Sequence, residues 1–307
     1  MKKTLFLAAT VWLLLPSRAA AQEGVLTEAE INFDSMMLVY QQHMDSIESS
    51  LTFYADTTVQ LGDGLASLTI PAGYRYVNGA DAATVLVDLW GNMPGNGDGS
   101  YGMLFPDSLS VTDDACYGIN IYFTEDGYVD DDDAADIDYD DLLEQMRDDM
   151  KAENLARIEA GFETIELIGW AQEPRYDATN QRLHWAKELY FEGEDGNTLN
   201  YNVRFLGRRG FLTMNVIGGI DDLPRVNANL DGILGSVAYN EGHRYADFSP
   251  GIDQVAGYGI AALVAGKVLA KSGFLAGIGI FLLKGWKLIM IAVVAAGAGI
   301  KKLLGKA

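Results

Sequence analysis

The distribution of charge limits the fold of this chain more than any other feature. All 43 acidic residues of the 307-residue sequence lie between Glu23 and Asp253, a stretch with only 12 lysines and arginines, and the two ends outside it carry no acid. The acidic stretch must keep its carboxylates at the surface and build a core from the apolar residues between them. The ends, apolar and basic, suit a different solvent. A polyanionic surface also repels other polyanions, which excludes nucleic acid as a partner.

The first residues, MKKTLFLAATVWLLLPSRAAAQEG, place two lysines before an apolar run from Leu5 to Leu15, then Pro16 and the small residues Ala19 to Ala21. This is the layout of a secretory signal occupying residues 1–21, with an apolar run too short to span a bilayer. Cys116 is the single cysteine. An internal disulfide is therefore ruled out, and so is a lipid-bearing cysteine after the signal.

The other end predicts a membrane anchor over residues 251–307. From Gln254 to Ala307 there are seven lysines, ten glycines, no arginine and no acid. A charged lysine is costly at the centre of a span, so crossings are expected between the lysines, with membrane lipid as the partner of the tail. One arrangement is a helical hairpin, its first helix running from about Ile252 to Ala270 and its second from about Leu283 to Leu304. The other is a single pass, with residues 284–307 lying along the membrane surface. Gly273 and Gly277 form a small-xxx-small step through which tails of two copies could approach, giving a homo-oligomer. Lysines gathered at a cytoplasmic turn put the acidic domain in the periplasm, tethered to a bacterial inner membrane.

Between the ends, residues 22–56 read as an N-terminal amphipathic helix. Thr27 and Glu30 form a capping box, and Ile31, Met36, Met37, Tyr40, Met44 and Ile47 follow at helical spacing. Residues 57–250 read as one acidic domain. A hairpin is expected around Gly62-Asp63-Gly64, followed by a short helix near residues 80–91 and strands at YGMLFP and YGINIYF. A long helix over residues 141–161 carries Leu142, Leu143, Met146, Met150, Leu155 and Ile158 on one face. Four strands from Thr164 to Gly219 then form a meander, and one helix over residues 222–237 closes the domain. The fold class is α+β, an antiparallel sheet covered by helices.

The aspartate run from Asp130 to Asp141 is the most conspicuous chemical motif. Read as a calcium loop starting at Asp136, it puts Asp141 at position six and Arg147 at position twelve, where glycine and glutamate are needed. Asp130, Asp131, Asp132, Asp133 and Asp136 remain as weak metal candidates, while Asp138, Asp140 and Asp141 suit the start of the next helix. His43, His184 and His243 are isolated in sequence, and no nucleophile elbow, phosphate loop or C-x-x-C occurs. No cofactor and no catalytic residue is indicated. The adjacent Arg208 and Arg209 are candidates for contact with an anion or partner, or for pairing with surface carboxylates.

At WAQEPRYDATNQRLHW, LNYNVRFLGRRGFLTMNV and NEGHRYADFSPGIDQVAGYGIAALVAGK the chain resembles a bacterial family of uncharacterised membrane-anchored proteins, domain of unknown function 2167, from about Leu61 onward. The resemblance implies an exported domain with a hydrophobic C-terminal anchor and supplies no activity or site. The order of elements around LTIPAGY is also loosely similar to exported domains of the PsbP and DcrB-like type, which implies an accessory or binding role. The expected function is a tethered envelope protein whose acidic domain binds an unknown partner. The alternatives are a periplasmic metal-dependent hydrolase using the aspartate run and a histidine brought near it, or a self-assembling membrane element.

Overall fold

The computed structural model describes residues 28–92, 95, 97–159 and 163–266. The expected signal, Thr27 and the tail beyond Gly266, with Gly273 and Gly277, lie outside the described residues. The chain divides into two compact units, Met1–Gln42 and His43–Ala307. The described part of the first is the leading portion of helix α1 (Glu28–Ser50), where Met36 and Tyr40 are half-buried and Met37, Leu38 and Val39 are exposed. Within the second unit α1 ends on a buried Met44, and Glu48 pairs with Arg75 at 3.3 Å while accepting from the Val111 amide at 3.1 Å.

The described residues of the second unit form two antiparallel sheets. Strands β1 (Thr58–Leu61) and β2 (Ala66–Thr69) form the expected hairpin, closed through Gly62 in the left-handed region at φ 58°. A single sheet was expected, but this hairpin pairs with β10 (Val237–Tyr239) from far along the chain and forms a separate three-stranded sheet. Leu61, Ala66, Leu68 and Val237 supply its buried side. The remaining strands are β3 (Tyr74–Asn78), β4 (Ser100–Pro106), β5 (Gly118–Thr124), β6 (Ile165–Asp177), β7 (Arg182–Phe191), β8 (Thr198–Gly207) and β9 (Gly210–Gly219). They form one seven-stranded sheet in the order β3-β4-β5-β9-β8-β7-β6. The β6–β9 meander is thus inserted beside β5, placing β8, β9 and β5 at the centre.

The two faces of this sheet are covered differently. On one, Ile119 and Ile121 of β5, Leu212, Met214 and Val216 of β9, and Leu199, Tyr201 and Val203 of β8 share a core with the small sheet. Val226 and Ile233 complete that core, from helices α4 (Leu223–Ala228) and α5 (Leu230–Gly235). One closing helix was expected here. It breaks at Asn229, whose side chain turns back to donate to the Arg225 carbonyl at 2.8 Å, a local bond that competes with helix continuation.

On the other face, helix α2 (Gly79–Thr84) starts at Asn78, whose side-chain oxygen accepts from the amides of Ala80 and Asp81 at 2.9 and 3.0 Å. A single π-helical turn, Val85–Leu89, follows and carries Trp90 onto Phe105 edge-to-face. Helix α3 (Tyr139–Glu159) covers β6 and β7 and is capped as expected, the Asp138 carboxylate accepting from the amides of Asp140 and Asp141 at 3.0 and 3.1 Å. Leu142, Leu143 and Met146 are buried, but Leu155 and Ile158, expected on the same face, are 70% and 58% exposed. Asn154 already brackets both backbone groups of Ile165, the first residue of β6, so the last turns of α3 run past the end of the sheet.

The C-terminal part of the described chain also departs from expectation. The helix expected from Ile252 to Ala270 does not start there, because residues 252–259 are not helical. Only α6 (Ile260–Ala265) forms, and it stops at Gly266 in the left-handed conformation, φ 76°. Ala256, Ile260, Leu263 and Val264 are buried against the α3 side of the large sheet. Residues expected to open the anchor therefore belong to the domain, which continues past residue 250 through α6. No described helix is long and apolar enough to cross a membrane.

Candidate ligand-binding face

Strand alternation puts successive side chains on opposite faces, so the polar residues of the central strands are collected on the side of α2 and α3. On β8 these are Asn200, Asn202 and Arg204. Asn202 stands opposite Trp185 of β7 and Asn215 of β9, and Asn215 stands opposite Asn120 of β5. Arg204 stands opposite Thr213, which stands opposite Tyr122, and Lys187 of β7 stands opposite Asn200. A polar strip thus crosses four adjacent strands in the middle of the sheet. Asn200, Asn202, Arg204 and Thr213 are each at most 7% exposed.

Groups buried this deeply normally have hydrogen-bond partners. The Asn202 amide donates to the Asn200 side-chain oxygen at 2.8 Å, and Arg204 Nη1 donates to the Leu263 carbonyl of α6 at 2.9 Å. Arg204 Nε, Trp185 Nε1 and Asn215 Oδ1 have none among the described residues. The Arg204 guanidinium lies 5.1 Å from the Trp185 ring and 4.7 Å from the Phe211 ring, which fixes its plane. No carboxylate among the described residues is within ion-pairing distance of Arg204 or Lys187.

Burial pulls the Lys187 ammonium down to about 8, and the Arg204 charge pushes the same way against a weaker pull from Glu153. Burial likewise lowers Arg204. Because the folded value for Lys187 lies below its unfolded value of 10.5, the folded state is penalised fully below pH 8, and the penalty fades as pH rises from 8 to 10.5. Lys187→Met is therefore expected to stabilise the fold by about 1–3 kcal/mol at pH 7. The gain should vanish near pH 10.5. Urea unfolding of both proteins across this pH range checks it, and an unchanged or lower stability at pH 7 contradicts it.

The residues singled out from sequence lie elsewhere. One carboxylate oxygen from each of Asp130, Asp131 and Asp132 lies within 4.8 Å of the others, while Asp133 and Asp136 stand outside that group, and it includes no histidine. Two of these acids hold distant segments. Asp131 accepts from the hydroxyls of Tyr176 at 2.6 Å and Tyr245 at 2.9 Å, and Asp133 accepts from the first amides of α6, Ile260 at 2.8 Å and Ala261 at 3.2 Å. Asp126 similarly receives the Tyr258 hydroxyl at 2.7 Å. Tyr128 stacks on Tyr245 and Phe248, and its backbone bonds Gln254 and Ala256. The acidic loop therefore laces residues 245–261 to the sheet.

Arg208 donates to Asp253 at 2.8 Å and to the Gly242 carbonyl at 3.2 Å, which holds the Asp253 carboxyl below the usual carboxylate range, while Arg209 is exposed. His184 and Tyr201 bond each other at 3.0 Å on the opposite side of the large sheet from the polar strip. Cys116 is half-buried, and burial pushes its thiol up to about 12, far from a reactive thiolate.

The architecture defines an α+β domain of antiparallel sheets that gathers partly unpartnered polar groups on the central strands of one face. The chain belongs to the family described as "Protein of unknown function (DUF2167)", which matches residues 53–297. No curated protein matches it. Among solved structures it is similar to the solution structure of cyanobacterial PsbP (CyanoP) from Synechocystis sp. PCC 6803, with 16% identity, a TM-score of 0.34, and coverage of 62% of this chain and 93% of that one.

Proposed function

We propose that this is an envelope binding module, exported and tethered to the inner membrane, whose ligand surface is the polar strip on β5, β9, β8 and β7. The observation that carries this reading is the set of buried polar atoms without partners, Arg204 Nε, Trp185 Nε1 and Asn215 Oδ1, on one face of the central strands. Such atoms cost about 1–3 kcal/mol each when unsatisfied, and a ligand that pairs with them recovers that energy. An arrangement of nucleophile, base and orienting group is not found on this face among the described residues, which favours binding over turnover.

Export and tethering rest on the sequence of the two ends. The anchor is drawn from residues beyond Gly266, since the described domain runs to that glycine. Reporter fusions after Ala307 and near Lys284 test it. A membrane-bound protein with a phosphatase-active Ala307 and a cytoplasmic Lys284 fits two passes, a cytoplasmic Ala307 fits one, and release by alkaline carbonate rejects both.

Native mass spectrometry of the full chain in detergent, after exposure to the low-mass fraction of a periplasmic extract, tests the binding reading. The expected result is a retained compound that is lost in Lys187→Met and in Trp185→Phe. Equal retention by the variants would place the ligand elsewhere, and chemical conversion of the compound would mark an enzyme.

A further inference from the structure

We infer that the polar strip receives the carboxylate of a small organic ligand, held side-on by the Arg204 guanidinium and flanked by Lys187. The inference rests on the reading of this face as a ligand surface. In a chain of formal charge −21, two cations on adjacent strands with no carboxylate among the described residues within ion-pairing distance, Glu153 and Asp126 acting only from further away, are out of keeping with the surrounding composition.

The donor geometry narrows the choice of anion. Leu263 occupies Nη1 of Arg204, and this leaves the edge formed by Nε and Nη2, whose Nε–H is buried without an acceptor. That edge presents two parallel N–H groups, the fork that matches the two coplanar oxygens of a carboxylate. The guanidinium already lies against the rings of Trp185 and Phe211, so little rotamer freedom is lost on binding. Trp185 Nε1 adds a third donor, and Asn215 Oδ1 offers an acceptor for a hydroxyl or amino group elsewhere on the same molecule. A phosphate can present two oxygens to the same fork, so the preference for a carboxylate rests on Asn215 Oδ1, which suits a ligand carrying a second polar group, and phosphate is the anion the test must separate.

The test follows the indole N–H resonance of Trp185 in the ¹⁵N-labelled full chain in detergent micelles, assigned through Trp185→Phe. The probes are sodium acetate, succinate and glutamate, with acetamide as the uncharged mimic and inorganic phosphate as the tetrahedral anion. Saturable shifts are expected with the carboxylates and none with acetamide, and phosphate should bind more weakly than glutamate, whose amino group can also reach Asn215 Oδ1. Arg204→Lys, which keeps the charge and removes the fork, should weaken carboxylate binding by about tenfold, and Lys187→Met by a similar factor. If Arg204→Lys does not fold, Lys187→Met decides. The inference is overturned if no carboxylate gives a saturable shift, if acetamide matches acetate, or if phosphate binds more tightly than every carboxylate. A low-mass compound lost in Lys187→Met but lacking a carboxylate would overturn it while leaving the ligand-surface reading intact.

Discussion

Replacing Asp131 by alanine should lower the stability of the domain by about 2–4 kcal/mol and its melting temperature by roughly 5–10 °C. The carboxylate receives the Tyr176 hydroxyl at 2.6 Å and lies 2.9 Å from the Tyr245 hydroxyl, so its loss leaves the Tyr176 phenol without this acceptor and leaves Tyr245 to the Val129 carbonyl and Tyr128. Hydrogen bonds to charged acceptors are the stronger kind, and both phenols sit where burial already pushes their pKa well above the ordinary tyrosine value. The effect should be localised. Hydrogen exchange should accelerate in residues 245–266, because Tyr245 is one of the ties that hold this segment to the acidic loop. Asp130→Ala is the control, since among the described residues that exposed carboxylate accepts only from the Asp132 amide, and it should cost less than about 0.5 kcal/mol. Equal effects of the two substitutions would show that the run acts through bulk charge and that the Asp131 bonds are incidental.

Much of the fold was legible because it is written in local pattern. The alternation of LNYNVRF, the Gly62 to Gly64 turn and the Asp138 cap each specify an element without reference to distant residues. What could not be read was what those elements meet. The β1–β2 hairpin pairs with a strand that begins at Val237, and Asp133 caps a helix that begins at Ile260. In sequence Asp133 is one acid among many, and only the fold shows that its two oxygens are spent on backbone amides. The exposure of Leu155 and Ile158 has the same origin, since apolar spacing tells where a helix could be covered but not where the neighbouring sheet ends.

The candidate face was legible only in part. Asn200, Asn202 and Arg204 alternate with Leu199, Tyr201, Val203 and Phe205, and such a pattern ordinarily marks a strand with one wet side. The meander inserts β8 and β9 into the middle of a seven-stranded sheet, and the polar side becomes buried. The signal that could have found the site is the pair of amides and the arginine in LNYNVRF, with no acid among them, since a solvent-facing side of so acidic a domain would be expected to carry carboxylates.

Gly210→Ala should be the most damaging single substitution of those considered, with an expected cost above about 4 kcal/mol and loss of the folded domain at ordinary temperatures. Gly210 joins β8 to β9 at φ 150°, a conformation that residues with a β-carbon rarely adopt. An added Cβ would also lie 1.9 Å from the carbonyl oxygen of Thr124, well inside van der Waals contact. That oxygen belongs to the backbone of β5, so no side-chain rotation relieves the clash and the hairpin tip must move away from its neighbour. The pairing of Thr124 with Phe211 would open first. The same hairpin carries Asn202 and Arg204 on one arm and Thr213 and Asn215 on the other, so the polar strip should be lost together with the register. Gly242→Ala separates strain from collision, because Gly242 also has positive φ, 87°, but nothing lies within 4 Å of an added Cβ. It should cost only about 1–2 kcal/mol. Circular dichroism melts of the two variants provide the comparison, and a Gly210→Ala protein that melts no lower than Gly242→Ala would show that the β5 contact does not constrain the hairpin.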